Sequence, residues 1–145
     1  MTILEAINRV DTTKPNSYTQ TEKVDWLSTL DGIIKKEIID THEGGENIVF
    51  EGYTPDTSLD TVLLVPAPYD EVYLFWLESK IDYYNGETGR YNNSINMFNT
   101  AYEEFERYYN RTHMPLGKKF KYFGSDNTGN SRPANGLLNI TIEEA

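Results

Sequence analysis

Cysteine is absent from the 145 residues. That removes disulfide frameworks, cysteine zinc sites and thiol nucleophiles together, and it suits a reducing compartment. Histidine is scarce, with only His42 and His113. Neither stands in a His-x-x-x-His or His-Glu-x-x-His pattern, so a bound metal has little support. Each lies near an expected helix end, where a cation meets the negative pole of the helix dipole. Basic residues are also few: 13 Lys and Arg face 23 Asp and Glu, for a net charge of −10. Such a balance argues against tight wrapping of a phosphate backbone, which needs clustered Lys and Arg. Long apolar runs are missing too. The longest, Val72 to Leu77, is far short of the roughly 20 residues that cross a bilayer. Glu5 and Arg9 stand where a signal peptide would need an apolar stretch. The sequence therefore predicts a soluble protein made in a cytoplasm, with no membrane partner. No Gly-rich phosphate cradle and no Gly-x-Ser-x-Gly occurs. The acids Glu103, Glu104 and Glu106 read as a solvated helix face rather than as paired catalytic carboxylates. No catalytic residue, metal site or cofactor is expected, and the chain does not read as an enzyme.

What the chain does carry is aromatic surface: 11 Tyr, 6 Phe and 2 Trp. Tyr and Trp bring large contact area with a polar handle, a composition of core edges and interfaces. At this length one domain is expected, with much of its burial occurring between chains.

The predicted architecture is mainly α: a bundle of about four helices over residues 1–114, with a small β-hairpin insertion near 46–66. An extended, partly β arm follows over 115–145. Thr2 with Glu5, and Thr19 with Glu22, are capping boxes that open the first two helices. Leu27, Leu30, Ile34 and Ile38 step along one helical face, with Trp26 and Ile33 widening it, toward an end near His42. Gly44-Gly45 stops that helix. Asn47–Tyr53 and Thr61–Val65 favour strand, with Pro55 and Asp56 in the turn region. Pro68 fits the first turn of a third helix that Gly86 ends. Its centre, Val72–Leu77, is apolar on every side, so a second subunit is a candidate to cover it. Tyr73, Phe75 and Trp76 are the expected anchors there. The last helix runs from near Thr88 to about His113. Its residues Tyr91, Ile95, Phe98, Tyr102, Phe105 and Tyr109 keep the α-helical period.

Charge changes sign near the end. Residues 1–114 carry 9 basic and 20 acidic residues, and residues 115–145 carry 4 and 3. Lys118-Lys119-Phe120-Lys121-Tyr122-Phe123 is the one basic aromatic run. Nucleic-acid contact by Lys and base stacking is one reading. A protected edge strand is a second. A strand added to another subunit, with Lys meeting that subunit's acids, is favoured. Lys119, Phe120, Lys121, Tyr122, Leu137 and Ile140 are the expected contacts of this arm.

Val65-Pro66-Ala67-Pro68-Tyr69-Asp70-Glu71-Val72-Tyr73, then Leu77 to Glu87, lead into Arg90-Tyr91-Asn92-Asn93, Met97-Phe98-Asn99 and Tyr109 to Pro115. This stretch resembles small virion proteins of long-tailed bacteriophages, nearest the head–tail connector (adaptor) proteins. The resemblance covers roughly 55 residues closely and the N-terminal helices by pattern. It implies a mainly helical protein forming a ring, commonly of twelve copies, beneath the portal and above a stopper or tail-completion protein. The ring would extend the channel through which DNA passes without sequence-specific binding. Glu103, Glu104 and Glu106 are then candidates to face that channel. The implied location is the head–tail joint of a virion assembled in the host bacterial cytoplasm. The hairpin and arm depart from an all-helical connector and leave open a stopper or tail-completion role. A non-viral cytoplasmic binding module, monomeric or dimeric, is the other alternative.

Overall fold

A computed structural model describes residues 1–117. Among the described residues there are four α-helices and no strand. The first, α1 (Ile3–Thr13), begins at its capping box. Thr2 Oγ1 accepts the Glu5 N–H at 3.2 Å, and Glu5 Oε1 accepts the Thr2 N–H at 2.9 Å. These bonds satisfy amides that a helix start leaves without helical partners. Ile3, Ala6, Ile7 and Val10 turn inward. Thr19 and Glu22 repeat the device at α2 (Gln20–Ile34).

α2 does not run as an α-helix to His42. It opens into a wider π-helical turn, Lys35–Ile39, in which the Asp40 N–H reaches the Lys35 carbonyl at 2.8 Å. The change of phase brings Ile38 and Ile39 together into the core beside Leu27, Leu30 and Ile34. Ile33, expected on that face, is left at the surface. Gly45 then lets the chain double back. A Cβ there would lie 2.4 Å from the Ile39 carbonyl oxygen, so a side chain would force the backbone apart.

A short 3₁₀ turn, Tyr69–Glu71, leads into α3 (Val72–Tyr84), and Gly86 at φ +75° ends it. A left-handed residue past a helix end is cheapest as glycine. α4 (Thr88–Thr112) is 25 residues long, about 37 Å at 1.5 Å per residue. Ser94, Phe98, Phe105 and Tyr109 form its buried line, with Ile95 and Tyr102 half-buried beside them.

α3 sits at the centre, packed against α1, α2 and, most extensively, α4. Val72, Tyr73, Leu77 and Ile81 have no exposure. A second subunit was a candidate to cover this helix; at Val72, Tyr73 and Leu77 the cover comes from the chain itself, while Leu74, Phe75 and Trp76 stay half-buried. Three helices of the same chain surround it, because their buried faces converge on one axis. Truncating Leu77 to Ala would remove about 2–5 kcal/mol.

The expected hairpin at 46–66 is also corrected. The two strand-like runs do not pair with each other. They form a strap that crosses the start of α1. Ile3 N–H donates to the Thr61 carbonyl and Leu4 N–H to the Leu59 carbonyl, both at 3.0 Å, and Leu63 N–H donates to the Met1 carbonyl at 3.0 Å. Thr2 and Val62 make an isolated antiparallel bridge. The first-turn amides of α1 need acceptors, and strap carbonyls supply them. Leu63 and Val65 are buried, while Val49 and Val62 point outward.

Candidate partner-docking groove

The strap is fastened to the bundle by a buried carboxylate. Asp31 lies on the core face of α2 with no exposure. Tyr53 O–H donates to its Oδ2 at 2.5 Å, Tyr73 O–H to its Oδ1 at 2.6 Å, and the Leu64 N–H to Oδ2 at 3.2 Å. The Tyr73 oxygen in turn accepts the Val65 N–H at 2.7 Å. Burial pushes the Asp31 carboxyl above the usual carboxylate range, and the bonds from Tyr53, Tyr73 and Leu64 offset that only in part. Burial, then the nearby Asp31 charge, holds both phenols above their ordinary value. A second buried acid, Asp82, accepts Lys14 Nζ on both oxygens at 2.8 Å and Ser94 Oγ at 2.6 Å. It ties the chain just past α1 to α3 and α4. Neither acid has any exposure, and both read as structural ties.

The Asp31 bond sets the ring of Tyr53 as one wall of a surface groove of about 500 Å³. Val24 and Trp26 of α2, Tyr84 at the end of α3, and Tyr18 and Pro55 from connecting segments complete its apolar lining. Trp26 and Tyr84 stack nearly parallel, centroids 5.7 Å apart, and Tyr18 meets Trp26 edge-on at 5.6 Å. The rings continue through Tyr83 to Tyr91, at 5.1 and 5.6 Å. Three bonds hold this row in place. Tyr18 O–H donates to Asn85 Oδ1 at 2.7 Å, Trp76 Nε1–H to the Trp26 carbonyl at 2.7 Å, and the Tyr53 N–H to Ser28 Oγ at 2.9 Å. Tyr83 and Tyr84 are nonetheless 60% and 56% exposed. The acids Glu22 and Asp25 stand at the rim. Fixed aromatic faces edged with carboxylates suit an apolar, cationic segment, since ring faces and acids both attract cations.

The residues singled out from sequence part company here. Tyr73 belongs to the core of its own chain, with its hydroxyl fully used. Trp76 is half-buried inside the same chain, against Phe98 at 5.0 Å and under Lys80 Nζ at 4.5 Å. Phe75 lines a smaller hollow of about 200 Å³ between Tyr69 and Met97, with Glu71 and Glu104 at its edge. Glu103, Glu104 and Glu106 are all exposed on α4. Lys119, Phe120, Lys121, Tyr122, Leu137 and Ile140 lie outside the described residues. His42 acts as a helix-end donor in a buried setting. Its Nδ1 meets the Ile38 carbonyl at 2.6 Å, Nε2 faces Asn110 at 2.7 Å, and Tyr109 packs edge-on at 5.0 Å. The groove was missed because its rings come from distant parts of the chain. The available signal was the pair of tyrosines, Tyr83 and Tyr84, at a helix end with no apolar partner in sequence.

Among the described residues no group of three His, Asp or Glu is placed to hold a metal ion, and no helix is long and apolar enough to cross a membrane. Comparison with family models, with curated proteins and with solved structures finds no match.

Proposed function

We propose that this chain is a non-enzymatic structural protein of the head–tail joint of a long-tailed phage, assembling as a ring beneath the portal and extending the DNA channel. The observation that carries the reading is the resemblance of residues 61–115 to head–tail connector proteins, a stretch that coincides with the end of the strap and with α3 and α4. Three physical features agree with it. The body is mainly helical. It presents rigid aromatic surface beyond what its own core uses. Its charge of −11 over residues 1–114 suits a conduit, because like charge keeps DNA from adhering to a wall. Glu103, Glu104 and Glu106, exposed together on α4, are the acids proposed to face the channel. Residues 115–145 are proposed as an arm that docks on another chain.

Electron microscopy of the full chain mixed with its portal tests the reading. A closed ring, of about twelve copies by family likeness, stacked coaxially on the portal is the expected result. A chain that leaves the portal bare contradicts it and turns attention to a cytoplasmic binding module. Ending the chain after Met114 should retain helical content but abolish completion of infectious particles. Particles completed normally by that truncation would remove the arm from the account.

A further inference from the structure

The groove beside Tyr84 fits a peptide that is both aromatic and basic. The sequence contains one such segment, Lys118 to Phe123, with three Lys and three aromatic residues in six positions. We propose that this segment of one copy lies in the Tyr18–Trp26–Tyr84 groove of a second copy, with its lysines against Glu22 and Asp25.

Charge argues for this occupant. Two bodies at −11 each repel, and acidic or neutral peptides gain nothing from the rim. A segment with three lysines is drawn to it, and its Phe120, Tyr122 and Phe123 supply faces to stack on Trp26 and the half-exposed Tyr84. The second copy follows from the ring reading, in which copies stand side by side and the arm of one docks on another. The idea deepens the ring reading by naming a contact between its copies. It needs no portal, so the two fail separately.

Zero-length carbodiimide coupling joins a lysine amine to a carboxylate only in direct contact. Full chains grown with light and heavy nitrogen are mixed, coupled and read by mass spectrometry. Coupling of Lys118, Lys119 or Lys121 to Asp25 or Glu22 between light and heavy chains is the expected result. Coupling only within chains of one isotope, or none to these acids, overturns the proposal, whether the groove is then filled by its own chain or by another partner. Asp25→Lys should weaken self-association in sedimentation about tenfold, and Lys119→Glu with Lys121→Glu should restore it. Asp25 is exposed and its side chain caps nothing, so the swap leaves the helix intact. Association unmoved by Asp25→Lys, or unrestored by the paired swap, also counts against the proposal.

Discussion

Asp31 shows what one buried acid can organise. Its two oxygens gather donors from the strap and from α3, and through Tyr53 they fix a wall of the groove. Asp31→Ala leaves two hydroxyls and an amide without their acceptor. We expect a loss of about 3–5 kcal/mol in urea unfolding, with weaker order at Tyr53. The sign of its pH effect follows from the raised carboxyl. Between the ordinary carboxylate value and the raised one, the folded chain holds a proton that the unfolded chain has released. Stability therefore falls as pH rises through that window. Asp31→Asn should flatten this part of the stability profile relative to the parent. Superimposable slopes for the two proteins would refute the assignment. Position was the readable clue: Asp31 falls on the stripe of Leu27, Leu30 and Ile34, where an acid needs a buried partner. Which groups would answer it was not readable, because Tyr53 and Tyr73 arrive from other elements.

At the scale of the element, the helices were legible because their signals are local. Both capping boxes form as written, and the 3.6-residue step of α4 locates its buried line. Thr19→Ala should cost about 1 kcal/mol by thermal or urea unfolding, since Oγ1 then no longer accepts the Glu22 amide. No measurable change would mean that the box is redundant at this helix start. Strand preference misled at 46–66 for a physical reason. Val49, Phe50 and Val62–Val65 favour extended backbone, but pairing depends on which free amides are near. Those of Ile3, Leu4 and Leu63 found nonlocal partners, so the strap joined the N-terminus instead of closing on itself. The π-helical turn after Ile34 was equally hidden. It follows from seating both Ile38 and Ile39, a demand set by the neighbouring helices.

For the whole molecule, apolar content alone could not say who covers α3. Sequence showed that Val72–Leu77 is greasy on all sides, and the fold answers with α1, α2 and α4 of the same chain. Among the described residues, aromatic surface open to partners includes the Tyr18–Trp26–Tyr84 groove, the exposed Tyr83, and the Phe75–Met97 hollow. Assembly on this account joins finished bodies and does not complete unfinished ones. That distinction is measurable by diluting the full chain until sedimentation finds only single copies, then recording its circular dichroism and urea unfolding. The account predicts undiminished helical signal and one cooperative transition at that dilution. Loss of helix in step with dissociation would contradict it, placing the core of each copy in the hands of its neighbours.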